Sequence, residues 1–318
     1  MDYDIAFLGH YTKDTIVSAA GTRVVDGGAF NYGAHVAARM GLDVAAVTRL
    51  AREDFSVIEE LERLGVEVFA RATPASTCLQ IDYPTSNVDE RVITVTSSAG
   101  PFTPEEVQDL RARAFVVGAS MRGEVRLAVV EELAKKEAWI AADVQGFVRV
   151  ARDGRLVYEA WPERRSVLAH VDVLKTDAVE AEMLTGAADV RVAARALAGL
   201  GPREVVLTHR DGVLVYAGGQ FHEAGFFPRA LVGRSGRGDT CVAAYVARRL
   251  AAVEDLVGTR EAVGKTRTSS GIQHPRIGSP AEATIWAAAV ASLKMEAEGP
   301  FRRNVREVER LIRDKYGG

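Results

Sequence analysis

Residues 233–250 read GRSGRGDTCVAAYVARRL, a run of glycines and arginines that ends on one aspartate and passes into a helical pattern. Gly233, Gly236 and Gly238 permit backbone conformations with positive φ, and Asp239 with Thr240 can open the helix that follows. Successive backbone N–H groups then converge at a helix N-terminus, where unpaired amides and the helix dipole favour an anion. Arg234 and Arg237 add positive charge at the same point. A plain turn with Asp239 as N-cap is the simpler alternative. Three glycines and two arginines within six residues are an unusual combination for such a turn, and the stretch predicts a phosphate cradle around a carboxylate.

The chain around it has 318 residues, with 40 lysines and arginines against 43 aspartates and glutamates, a formal charge of −3. That balance gives no global drive toward nucleic acid or an anionic membrane, so any anion must be held locally. Cys78 and Cys241 lie far apart and outside any metal or redox spacing, so neither zinc nor a disulfide is indicated and a reducing cytoplasm fits. The N-terminus, MDYDIAFLGHYTKD, holds an apolar run of only four residues, too short for a signal peptide or a membrane span.

Short apolar runs recur along the chain: IAFLG, VAAVT, FVVGA, WIAADV, VDVLKT and EVVLTH, with helix-like segments between most of them. This alternation is the pattern of a parallel sheet covered by helices on both faces, an α/β fold. A helix start is expected at Thr103, where T-P-E-E offers a capping box, and an amphipathic helix, VREVERLIRDKYG, ends the chain.

Residues 11–28 and 69–98 break the rhythm; in the second, TCLQIDYP and RVITVTS read as a hairpin. They are expected to form a small antiparallel sheet over the strand C-termini, a lid on one domain spanning residues 1–318. The open edge of such a sheet leaves room for a homodimer through the lid. Residues 253–280 are polar and weakly periodic, a loop insertion. Within it Gly258, Gly264, Lys265 and Thr266 imitate a nucleotide-binding P-loop, but with one residue too many between the glycines and no preceding strand.

The 233–241 motif resembles that of the pfkB, or ribokinase-like, family of carbohydrate kinases, D-T-x-G-A-G-D. Gly236, Gly238 and Asp239 match it, whereas Gly233, Arg234 and Arg237 replace its first Asp, first Thr and Ala. The variant G-R-[ST]-G-R-G-D-T-C is similar to that of a bacterial subset of sugar kinases that also share a segment like DVQGFVRV, residues 143–150, which adds Asp143 to the substrate side. Gly9 and Asp14 match a first strand ending G-x-x-x-x-D, where the family's Asp binds substrate hydroxyls; a solvated loop acid is the alternative for Asp14. GGAFNYGAHVAARMG resembles G-G-x-x-x-N-x-A, with Gly27 and Gly28 in place and Tyr32 where the family usually has Asn. TDAVEAEMLTG resembles N-x-x-E followed by L-T-G, which gives Glu180 to magnesium and Asp177 to the nucleotide side, although an acidic helix face would look the same. VVLTHRDGVLVY supplies Thr208 and Gly212 to the donor, and WAAAVASLKMEAEGP is all that is recognisable of the adenine-side helix.

The resemblance implies a ribokinase-like three-layer α/β/α core and ATP-dependent, Mg2+-assisted phosphorylation of a small sugar or cyclitol. In it Asp239 is the base, the amides of Gly236, Arg237, Gly238 and Asp239 form the anion hole, Arg237 reaches the transferring phosphate, and Arg234 holds the next phosphate of the donor. Two alternatives stay open. A nucleoside could stack on Tyr32, Phe30 and Phe69, though core packing explains those rings equally. A sugar- or nucleotide-binding regulator could have kept the fold without the chemistry.

Overall fold

The computed structural model describes residues 2–19, 21–85, 91–251, 266–268, 271–273 and 278–317. In chain order its two large sheets are built from β1 (Asp2–Leu8), β2 (Thr12–Ser18), β3 (Gly21–Gly27), β4 (Val44–Leu50), β5 (Glu67–Ala72), β6 (Thr77–Asp82), β7 (Val92–Ser97), β8 (Arg111–Val117), β9 (Trp139–Asp143), β10 (Arg149–Arg152), β11 (Arg155–Tyr158), β12 (Val173–Asp177), β13 (Glu204–Thr208), β14 (Gly212–Ala217) and β15 (Gln220–Gly225).

The six apolar runs become β1, β4, β8, β9, β12 and β13 of a nine-stranded sheet, ordered β15-β14-β13-β12-β9-β8-β1-β4-β5. Every residue of β4 and β13 is buried, as strands covered on both faces require. The sheet is parallel from β5 to β13, and the antiparallel hairpin β14–β15 closes one edge. On one face pack the helices Ala29–Arg39, Arg237–Ala251 and Pro280–Met295, with Ala243, Ala244, Ala247, Ala287 and Ala288 letting the last two approach closely. On the other lie Leu127–Ala134 and Val190–Ala198, which completes a three-layer α/β/α core. Strand order reverses at β1, which pairs with β4 on one side and β8 on the other. Open α/β sheets leave a crevice beyond their strand C-termini at such a switch point.

A second, six-stranded sheet has the order β10-β11-β7-β6-β2-β3. It differs in extent from the expected lid. Residues 67–72 form β5 at the edge of the large sheet, so the second excursion contributes only β6 and β7. A third excursion, β10–β11, joins through the pairing of Arg155 with Thr94. Its turn is formed by Asp153 at φ 48° and Gly154 at φ 82°, the left-handed pair a tight hairpin demands.

Thr103 caps only a three-residue 3-10 turn, Pro104–Glu106, rather than an α-helix, although the capping box is made. The final helix runs Val305–Lys315 from an Asn304 cap. Most of the 253–280 insertion, including Gly258, Gly264 and Lys265, lies outside the described residues. No helix among the described residues is long and apolar enough to cross a membrane.

Candidate active site

A cavity of about 740 Å³ opens at the switch point, between the C-terminal ends of the large sheet and the inner face of the small one. Asp14, Gly28, Tyr32, Asp143, Asp177, Thr208, Arg234, Gly236, Arg237, Gly238 and Asp239 all lie on its wall. Gly27, Gly212 and Glu180 do not.

The cradle is built on the helix Arg237–Ala251, which begins three residues earlier than it would with Asp239 as its N-cap. Asp239 therefore sits in the first turn, where backbone N–H groups have no intrahelical acceptor. The chain enters through Gly236 at φ 73°, with Thr240 N–H donating to the Gly236 carbonyl at 2.9 Å. A Cβ on Gly236 would lie 2.4 Å from ring atoms of Tyr32, so glycine is required both by conformation and by space. Lys294, on the helix Pro280–Met295, donates to the carbonyls of Gly233, at 3.0 Å, and Ser235 and so stitches the loop in place. Burial pulls its pKa down to about 8, opposed by Glu298 and Asp239.

Asp239 is held well above the usual carboxylate range, at about 6. Burial is the main cause, the Asp143 carboxylate adds to it, and Lys175, Arg149 and Lys294 oppose it. Asp14 is likewise pushed up to about 6, by burial first and by Asp239 across the cavity, while a hydrogen bond with Thr12 and the charge of Arg91 pull it back. Such tuning is what a base working near neutral pH needs.

On the Asp14 side, Gly27 packs against the carboxylate: a Cβ there would be 2.5 Å from Thr12 Oγ1 and 2.7 Å from Asp14 Oδ2. Gly28, at φ 97°, closes to where a Cβ would be 2.1 Å from the His10 carbonyl oxygen. Asp14 Oδ1 and Tyr32 Oη are buried without hydrogen-bond partners within the described chain. Native proteins rarely leave such atoms unsatisfied. Phe30 belongs to the core, and Phe69 lies on β5 against Tyr3, so of the three aromatics only Tyr32 reaches the cavity.

Toward the donor side, Asp177 caps the helix Ala178–Thr185 in a reciprocal box with Glu180: each side chain accepts from the other's N–H, at 2.8 and 3.0 Å. Glu180 is fully buried behind Asp177, 3.7 Å from Arg149, and burial raises its carboxyl to about 7. Among the described residues no group of three or more His, Cys, Asp or Glu is placed to hold a metal. The donor set nevertheless fits a magnesium ion that keeps most of its water, because Asp177 faces the cavity and Glu180 Oε1 is buried with no hydrogen-bond partner among the described residues. Gly212 is a packing glycine at the start of β14, where a Cβ would meet the Ala224 carbonyl oxygen at 2.3 Å. His209 and Arg210 take its place on the wall.

Sequence reading missed Lys175, Arg149 and Lys294. Lys175 is a lysine inside the apolar run VDVLKT, a combination that itself signals a paired or functional charge. Arg149 lies within the quoted DVQGFVRV, and Lys294 within WAAAVASLKMEAEGP.

Comparison with known proteins follows the same lines. A cytidine kinase of Thermococcus kodakarensis is 31% identical over 263 residues, covering 77% of this chain and 87% of that one. A solved pyrophosphate-dependent kinase in the ribokinase family, complexed with a pyrophosphate analogue and myo-inositol, is 32% identical with a TM-score of 0.81, over 96% of this chain and 99% of that one. Arabidopsis thaliana ribokinase, complexed with ribose and ATP, shares the fold at a TM-score of 0.70 and 18% identity, over 98% and 99% of the two chains. The model of the pfkB family carbohydrate kinases matches residues 2–300, and the chain belongs to that family of enzymes.

Proposed function

We propose that the protein transfers a phosphoryl group from a donor ending in a diphosphate to a hydroxyl of a cyclitol or small sugar, with Asp239 as general base. The observation that carries this reading is the pair of unsatisfied buried atoms, Asp14 Oδ1 and Tyr32 Oη, on the wall of the cavity that Asp239 also lines. They are the acceptor and donor that a polyol hydroxyl would satisfy. Asp239 then takes the hydroxyl proton as the oxygen attacks the terminal phosphorus, and the anhydride P–O bond breaks to release the shorter phosphate. The amides of Gly236, Gly238 and Asp239 stabilise the charge on the transferring group, whereas the Arg237 N–H, expected to join them, donates instead to the Arg234 carbonyl at 3.1 Å; the Arg234 side chain holds the departing phosphate. Asp177, with Glu180 behind it, would hold a magnesium ion, which would supply positive charge to neutralise the donor phosphates. Closure of the small sheet over the cavity excludes water that would otherwise compete as acceptor.

ATP is the donor that the family resemblance implies. Inorganic pyrophosphate is the second reading, favoured by Arg210, Arg234 and Arg237 together on the wall and by the 32%-identical pyrophosphate-dependent kinase. Each donor is tested with magnesium against myo-inositol, ribose and cytidine, following phosphorylated product. Polyol turnover with either donor is the expected result. Turnover of cytidine alone would move the acceptor to nucleosides, and binding without turnover would make the protein a regulator.

We infer further that the enzyme works in a reducing cytoplasm, in keeping with its two free cysteines, and that a second copy covers the edge strand β3, where Val24 is 58% exposed. Sedimentation should give a dimer for the wild type and a single chain for Val24→Lys. A wild type that stays a single chain at all concentrations refutes the dimer.

A further inference from the structure

Lys175 lies just outside the segment TDAVEAEMLTG, and neither the base nor the amide cradle accounts for it. It stands in the apolar strand β12, only 4% exposed, and still lines the cavity. In the sheet register it faces Asp143, the last residue of β9. Its Nζ lies 3.0 Å from Asp143 Oδ2 and 3.3 Å from Oδ1. From the other side Gly238 closes on it so tightly that a Cβ there would be 2.6 Å from Nζ and 2.8 Å from Cε. The ammonium is thereby fixed against the first turn of the helix that carries Asp239.

That is an uncomfortable place for a cation. The positive end of the helix dipole disfavours it, and buried charge is tolerated only when paired. Asp143 supplies one counter-charge, but Arg149, Arg234, Arg237 and Lys294 crowd positive charge onto the same end of the cavity wall or just behind it. An ammonium has three donors, and its hydrogen bond to Asp143 Oδ1 occupies one of them. Burial works to lower the lysine's pKa, yet Asp143, Glu180, Asp177 and Asp239 outweigh it, so the group stays charged.

We propose that Lys175 is a catalytic residue of the phosphoryl transfer: clamped by Asp143 beneath Gly238, its ammonium contacts the transferring phosphoryl group. The inference rests on the kinase reading above. It gives Asp143 a task as well, that of holding Lys175 in position. Its charge also offsets the effect of the Asp143 carboxylate on Asp239, alongside Arg149 and Lys294.

The test compares wild type with Lys175→Met and with the double variant Lys175→Met/Asp143→Asn, which leaves no unpaired buried charge. Both variants are expected to lose about 10²- to 10³-fold in kcat, the effect of removing one donor to the transferring charge, with the acceptor KM changed little. In Lys175→Met the acid limb of kcat/KM should move to higher pH, because Asp239 loses a neighbouring cation. In thermal unfolding, pyrophosphate with magnesium should raise the Tm of the wild type more than that of either variant. A Lys175→Met enzyme that keeps more than a third of wild-type kcat overturns the proposal, as does equal protection of all three proteins by pyrophosphate. A wild type that binds pyrophosphate but phosphorylates nothing counts against the kinase reading alone, since the protection experiment still reports on Lys175.

Discussion

Asp239→Asn is expected to lower kcat by about 10²- to 10⁴-fold, the usual contribution of a positioned base, without unfolding the chain. The amide has the shape of the carboxylate but cannot accept a proton. Removing the charge also removes repulsion from Asp143, so the Tm should not fall. A folded variant that keeps more than a tenth of wild-type turnover refutes the assignment. The wild type carries a second signature. Burial holds the Asp239 carboxyl at about 6, and a base must be unprotonated to work. The rate should therefore decline as pH falls through about 6, well above the range of an exposed aspartate, and a pH profile of kcat/KM measures it.

Gly236→Ala should be the most damaging substitution of a residue with no side chain to lose. The left-handed backbone at φ 73° costs a non-glycine residue about 1–2 kcal/mol, and overlap with the buried Tyr32 ring adds about 1–3 kcal/mol. The loop must shift, and displacing the anion hole by about 1 Å is worth on the order of 10²-fold in rate. We expect a lower Tm together with that loss. The double variant Gly236→Ala/Tyr32→Ala separates the two causes, because it relieves the overlap and leaves the backbone strain. A Gly236→Ala protein with wild-type Tm and kcat would show that the cradle does not need this geometry.

The large sheet was legible because parallel strands buried on both faces are written as continuous apolar runs, and all six such runs became strands. The small sheet was only partly legible. β5 alternates and is half exposed, as an edge strand does, and so resembled the hairpin that follows it. The β10–β11 hairpin did carry its signal in Asp153-Gly154, but strands of four residues leave too little periodicity to find. Motif residues that touch the cavity through backbone or short side chains, such as Gly28, Gly236 and Asp14, were identifiable because their residue type is dictated. Arg149 and Lys294 were not, and Lys175 showed only that it must be paired, because a lone cation acquires its meaning from partners far away in the chain: Glu180, the Gly233 carbonyl and Asp143. Gly212 misled for the opposite reason, since the local fit of two strands demands the same residue that a phosphate loop would.

Asp239 and the loop around it belong to the large sheet and its helices, whereas much of the cavity's roof belongs to a sheet assembled from three separate excursions of the chain. Leu79, Ile81, Ile93 and Leu156 on that roof stand on β6, β7 and β11, apart from the helix that carries Asp239. Descendants of such a protein can therefore diverge in diet while inheriting one unchanged reaction, and the excursions are where that divergence should be sought.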